Sequence, residues 1–570
     1  VNLPNPAIVA QASVRRLPRP ALILLCLAFI GAGFIGRDGW RSADLSALGF
    51  MAALQRGEAS WLQPALLGIR PDFPALLPYW LGAWVLEIAP AHADTDFWVR
   101  IPFALLLTIA FIGTWYGSYY LARSPAAQPV AFAFGGEARP TDYARAMADG
   151  GVLAFLASLG LAQLGHETTP ALAQLGFTAL LFYALSALPY HRTGPALSAV
   201  VGMAGLSLSG APAVSLLFGL GGACIHAIDK RTGAEEHAPV RNTAAEATAL
   251  AVVALLIAWS ARALGLWVWK VEWPALSWDY WNGHVQLLLW FTWPSWPLAL
   301  YSVWRWRKQL FNLHISRHLS LPAWFIVTSV GSMLLSGSPD RSLLLALPAF
   351  AAMAAFALPT LRRQVAALID WFTLLFFTGC GIIIWVVWIA MQTGVPPQPA
   401  ANVARLAPGF DARFQLLPFV FALAATLAWA WLVRWRAGRH RAAIWKSLVL
   451  PASGASLCWL LLMTLWMPLL DYAQSAKTMV RQTRAIISAD QCAAVMNIDV
   501  AQIAALRWYG QLDLRQATNA AECPWLLTEP AGNAEISPSI DRSQWAPHTL
   551  VQHPVAGSEM FWILKRLKTD

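Results

Sequence analysis

The stretch FPALLPYWLGAWVLEIAP, residues 73–90, decides the topology of this chain. It is apolar enough to pass for a membrane span, yet it is short and punctuated by Pro74 and Pro78. A helix needs about 20 apolar residues to cross about 30 Å of hydrocarbon. If residues 73–90 crossed, every later loop would change sides and each basic cluster that follows would face outward, against the positive-inside rule. Read as an interfacial or re-entrant helix, the stretch lies inside an outer loop of about residues 37–98.

The surrounding chain is 58% hydrophobic and 12% charged over 570 residues, with a mean hydropathy of +0.51. This excludes a soluble globular protein and points to a polytopic α-helical membrane protein. We read thirteen spans, centred near residues 28, 108, 156, 180, 202, 218, 256, 293, 329, 350, 380, 424 and 459. With the N-terminus inside, the returns carry Arg123/Arg139/Arg145, Arg192, Lys230/Arg231/Arg241, Arg305/Arg307/Lys308/Arg317, Arg362/Arg363 and the cluster from Arg434 to Lys446. The formal charge of +10 therefore reads as orientation charge facing anionic lipid rather than a nucleic-acid surface. Many of the 31 tryptophans, such as Trp293, Trp304 and Trp435, sit at span ends, where indole favours the headgroup level. Residues 21–36, preceded by Arg15, Arg16 and Arg19, read as a retained first span.

These readings predict a transmembrane domain over residues 1–472 and a small α/β domain over 473–570 on the outer side, the periplasm of a Gram-negative cell. The tail combines a helix-like YAQSAKTMVRQTRAIISA with strand-like PWLLTE and MFWILKRL. Cys492 and Cys523 would share an oxidising compartment, where they can pair.

Unusual residues collect in the outer loops: Asp38, Asp44, Asp72, His166, Glu167, Asp279, His284, Asp340 and Arg341. The segment SADLSALGFMAAL predicts an amphipathic helix lying on the membrane, with Leu45, Leu48 and Met51/Ala52 as its stripe and Asp44 on the flank. Asp38 before it either pairs with Arg41 or serves as a general base at the bilayer surface. Glu167 either supports the dipole of the helix that follows or joins His166 and a carboxylate from the first loop in holding a divalent cation. Asp340-Arg341 is either a helix-start ion pair or a phosphate grip. The Trp-rich loop EWPALSWDYWNGH is an aromatic belt or a source of a ligand, His284.

The order of these features resembles the protein O-mannosyltransferase-like branch of the C-type membrane glycosyltransferases, and especially the bacterial aminoarabinose-to-lipid A transferases. DGWRSAD (38–44) is similar to their Asp-Glu-x-Arg motif after the first span, with Gly39 in place of the Glu. PDFPALLPYWLG (71–82), WVRIPFALLLTIAF (98–111), DRSLLLALPAFAAM (340–353) and MPLLDYAQS (467–475) resemble later landmarks in the same order. The resemblance implies inverting transfer of a sugar from a polyprenyl-phosphate donor to lipid A, another glycolipid or a protein, at the periplasmic face of the inner membrane. It assigns Asp38 as the base and Arg41, Arg100 and Arg341 to the donor phosphate. Glu167 takes an acidic site role. Glu167, His166, Asp72 and Asp44 are candidates for a divalent metal ion. The rival classes are a lipid or polysaccharide transporter or flippase, and a non-catalytic envelope assembly protein. No Walker-type phosphate loop is present in the sequence.

Overall fold

The computed structural model describes residues 5–90, 94–229, 242–267, 271–310, 316–437, 443–488, 490–519, 523–532, 535–538, 540–555 and 559–567; the side chains of Arg41 and Ala437 also lie outside that set. Helix α1 (Arg19–Phe34) is followed by α2 (Arg41–Gln55) and α3 (Leu77–Ile88), then by α4 (Thr95–Ala122), α5 (Pro140–Ala157), the single turn α6 (Leu161–Leu164) and α7 (Pro170–Ala187). The bundle continues with α8 (Thr193–Leu208), α9 (Pro212–Ile228), α10 (Thr243–Ala263), α11 (Trp278–Phe291), α12 (Ser295–Leu310), α13 (Arg317–Leu334), α14 (Pro339–Leu344) and α15 (Leu347–Ala355). It closes with α16 (Arg363–Thr393), α17 (Pro397–Leu406), α18 (Leu416–Ala437) and α19 (Lys446–Leu465).

Seven helical segments among the described residues are long and apolar enough to cross a membrane, and α1, α8 and α9 are shorter apolar helices. The expected span near 293 is instead a break, because a turn at 292–294 separates α11 from α12. The span expected near 156 lies earlier in the chain, since α5 ends at Ala157. Helix α3 has 12 residues, about 18 Å of rise, too short to cross. Proline at its second position starts it without losing a hydrogen bond. Helix α4 packs along α7, and α5 packs against α15 and α19, which makes the centre of the bundle. Arg317, counted among the orientation charges, is in fact buried, with Nη1 3.4 Å from Asp229 Oδ2 and 3.1 Å from His226 Nδ1.

Helix α2 is enclosed by protein. Leu45, Leu48, Phe50, Met51, Ala53 and Leu54 are all buried, so apolar residues face inward around more than one stripe. Two elements cover it: α3 on one side and α22 (Val500–Trp508) of the C-terminal domain on the other. The close approach of α22 requires Gly49, where a Cβ would lie 2.6 Å from the Ala504 Cβ. Periodicity within α2 cannot show a second buried face created by residues about 450 positions away.

After α20 (Met467–Gln474) and α21 (Lys477–Ile486), the C-terminal domain forms a five-stranded sheet. The sheet's strands are β1 (Cys492–Met496), β2 (Asp513–Gln516), β3 (Trp525–Thr528), β6 (Trp545–Gln552) and β7 (Met560–Arg566), and β4 (Pro530–Ala531) and β5 (Glu535–Ile536) form a separate two-stranded sheet. The sheet order is β2-β1-β3-β7-β6. Strand β1 runs parallel to β2 and β3, while β7 runs antiparallel to β3 and β6. Helix α22 is the crossover from β1 to β2. The strand-like runs of the tail form β3 and β7, and Cys492 and Cys523 form a disulfide. The helix-like run breaks at Ser475, which has extended backbone and bridges to Trp40.

Candidate functional site

The site lies where the loop after α1, the start of α4, the α6–α7 link and α14 converge beneath the C-terminal domain. Arg37, the third residue beyond α1, has a fully buried side chain. Its Nη2 donates to Asp44 Oδ2 at 3.2 Å and to the His166 carbonyl at 2.7 Å. Its own carbonyl accepts from Arg100 Nη1, and Arg100, on the first turns of α4, is 2% exposed. Burial lowers the proton affinity of Arg37, and Asp44 beside it raises it again. Glu167 is also buried, and its Oε2 lies 3.9 Å from Arg341 Nη2.

Arg37, Arg100 and Arg341 thus gather around two carboxylates, Asp44 and Glu167. Among the described residues, Arg37 Nε and Nη1, Arg100 Nε and Arg341 Nε are buried without a hydrogen-bond acceptor. The guanidinium groups keep spare N–H donors. Such a set is suited to a phosphate. Arg37 was legible as a charge at the end of a span, but nothing in its local sequence distinguished it from Arg41.

The metal readings of Asp44 and His166 do not fit the geometry. Asp44 is fully buried and accepts from Arg37, from the Trp40 N–H at 3.2 Å, from the Thr168 N–H at 2.8 Å and from the Thr168 hydroxyl. It pins α2 to the α6–α7 link, and its lone pairs are used. His166 sits among Phe29, Phe34 and Trp459, with Nδ1 on the Ala162 carbonyl and Nε2 3.1 Å from the Phe29 carbonyl. Burial pushes its imidazole down to about 3, so the ring is neutral and neither nitrogen is open to a cation. Asp72 is exposed on the loop before α3. No group of three or more His, Cys, Asp or Glu able to hold a metal occurs among the described residues. Away from this centre, His284 stacks on Tyr280 within α11 and its Nδ1 meets the Tyr280 carbonyl at 2.8 Å. Asp340 accepts from the Arg341 backbone N–H at 2.9 Å, while the Arg341 guanidinium faces Glu167.

Asp38 lies on the other side of the same turn. Its partner is Lys477, whose Nζ is 2.6 Å from Asp38 Oδ1. The Arg41 side chain, the partner expected from sequence, lies outside the described residues. Asp471 on α20 accepts from the Asp38 N–H at 3.1 Å and from Trp40 Nε1 at 2.7 Å. Burial first, then the neighbouring Asp38, pushes Asp471 up to about 6. Asp96 accepts from Trp508 Nε1 at 2.6 Å and from the Tyr509 hydroxyl at 3.1 Å. A side chain at Gly39 would have to displace its neighbours: a Cβ there would lie 2.9 Å from Leu45 Cδ2 and 3.2 Å from the Tyr509 hydroxyl. Acidic neighbours for Asp38 therefore come from elsewhere in the fold, Asp96 and Asp471. Sequence reasoning passed over Asp471, although it stands in the quoted MPLLDYAQS at the end of the last span, where outer-loop charges were already under suspicion.

No family model matches the chain, and no curated protein matches it. Among solved structures, ArnT from Cupriavidus metallidurans in the apo state matches with a TM-score of 0.60 at 12% identity, covering 96% of this chain and 97% of that one. The same protein bound to undecaprenyl phosphate matches with a TM-score of 0.59, again at 12% identity and with the same coverage. Over nearly its whole length, helical bundle and C-terminal sheet domain together, the chain has the fold of ArnT, the fold that the sequence resemblance implies.

Proposed function

We propose that this protein is a membrane glycosyltransferase that moves a sugar from a polyprenyl-phosphate donor to an acceptor at the periplasmic face of the inner membrane. The observation that carries this reading is the arginine set, Arg37 and Arg100 buried and Arg341 partly exposed, with N–H donors that lack an acceptor, around the turn that also carries Asp38. The shared fold supports it, because one of the matching ArnT structures holds undecaprenyl phosphate. A lipid-linked donor also accounts for a charged site placed at the ends of apolar helices: the isoprenoid stays in hydrocarbon while the phosphosugar reaches the polar turn.

The reaction is a single displacement. Asp38 takes the proton of the acceptor hydroxyl, the freed oxygen attacks the anomeric carbon with inversion, and the bond from that carbon to the phosphate oxygen breaks. The leaving phosphate keeps the electron pair, and the arginines stabilise its developing charge. Glu167 orients Arg341, and Asp44 fixes Arg37. Lipid A, another glycolipid and a protein are all compatible acceptors, each carrying a hydroxyl or amine nucleophile. Comparing lipids and glycans by mass spectrometry from cells with the wild-type gene, with D38N and without the gene tests this reading. A product present only with the wild type is expected. An unchanged lipidome and glycome, with expression confirmed, would overturn the reading in favour of a transporter or an assembly protein.

A further inference from the structure

The turn Asp38-Gly39-Trp40 is held almost entirely by residues that lie more than 400 positions later in the chain. Lys477 binds the Asp38 carboxylate. Asp471 accepts from the Asp38 N–H and from the Trp40 indole. The Tyr509 hydroxyl accepts from the Gly39 N–H at 2.8 Å, and Trp40 bridges to Ser475. Lys477 Nζ also lies 4.8 Å from the centre of the Tyr509 ring, a cation–π contact that limits its rotamers. Its charge faces three acids, Asp38, Asp96 and Asp471, and Lys477 is itself raised by them against the opposing effect of burial.

Of the three carboxylates, Lys477 Nζ takes Asp38, with its 2.6 Å contact to Oδ1, while burial pushes both Asp96 and Asp471 up. We propose that Lys477, at the first turn of the C-terminal domain's leading helix, is a positioning residue for Asp38, holding its carboxylate in one orientation, so that the C-terminal domain completes the site. This rests on reading Asp38 as the base.

The neighbouring Asp471 supplies a readout independent of turnover. Its titration near 6 is lowered by Lys477 and raised by Asp38. In full-length protein in nanodiscs, the infrared carbonyl band of protonated Asp471 is identified by its loss in D471N. K477M and K477Q should each move its midpoint up by about half a pH unit or more, D38N should move it down, and K477R should restore it. In cells, both neutral variants should lower the product seen by mass spectrometry about tenfold, with K477R close to wild type. Binding of undecaprenyl phosphate to the purified variants reports that the fold is kept. A folded K477M or K477Q with an unmoved midpoint, or with wild-type product, overturns the proposal. D38N with wild-type product refutes the base reading itself, whereas D38N without product beside K477M with full product refutes only the role of Lys477.

Discussion

Asp44 offers a sharp test of how this site is built, because it reads as a metal candidate in sequence and as a structural pin in the fold. Replacing it with leucine, of similar bulk, removes the acceptor for Arg37 Nη2, for the Trp40 N–H and for both the N–H and hydroxyl of Thr168. Arg37 would keep only the His166 carbonyl within a site where its side chain has no exposure. Breaking a buried ion pair by deleting one partner costs about 3–5 kcal/mol, because the surviving charge stays buried. Each orphaned buried N–H costs about 1–3 kcal/mol if taken alone. These costs share one cavity and do not add fully, so D44L should lose about 5 kcal/mol. Removing the charge on both sides with R37M/D44L should recover about 2 kcal/mol or more of that loss. Unfolding of the full chain in mixed detergent micelles measures both differences. The double variant should remain folded yet bind undecaprenyl phosphate weakly, since Arg37 belongs to the arginine set. A D44L variant within about 1 kcal/mol of wild type would refute the assignment of Asp44 as the pin.

Four further outcomes are expected. R100M and R341M should each weaken undecaprenyl phosphate binding by about tenfold or more, measured by titration of the folded variants in nanodiscs, and each should also lower the unfolding midpoint, since Arg100 holds the Arg37 carbonyl and Arg341 faces buried Glu167; equal affinity would count against the phosphate site. Asp471 is raised from 3.8 to about 6, so the fold favours its protonated form: that stability is fully present below 3.8 and is lost as pH rises through about 6. D471N should therefore be more stable than wild type by about 2–3 kcal/mol at pH 7.5 and not at pH 4, and parallel stability profiles would contradict this. G49L should force α22 away from α2, read as faster proteolysis of the C-terminal domain, because its Cβ would start 2.6 Å from Ala504 Cβ. Reducing the Cys492–Cys523 bond, which closes 31 residues, should cost the C-terminal domain about 3–4 kcal/mol. An unchanged unfolding profile in reductant would show that the bond contributes little.

Much of the helical architecture was legible because its cause is local. An apolar run of sufficient length has to be a helix in hydrocarbon, and prolines at 74 and 78 mark α3 as a short one. The break at 292–294 was missed because hydropathy averages across a turn flanked by tryptophans. Among the site residues, Asp38, Glu167, Arg100 and Arg341 were picked out as charges near membrane boundaries, and the fold brings all four around one turn. His166 misled for a physical reason: a histidine in a polar-looking loop can be swallowed by Phe29, Phe34 and Trp459 from other helices.

The sequence by itself determined what depends on composition and on neighbours along the chain: a helical membrane bundle, the short proline-started helix α3 and the strand-forming runs of the tail. Tertiary structure alone decided which charges are partners. Asp38 meets Lys477 and Asp471 across more than 430 positions, and Asp44 meets Thr168 across 124. Whether a carboxylate is a pin or a base depends on how many donors reach it and how much water remains. Those quantities are set by elements that touch only once the whole chain has folded.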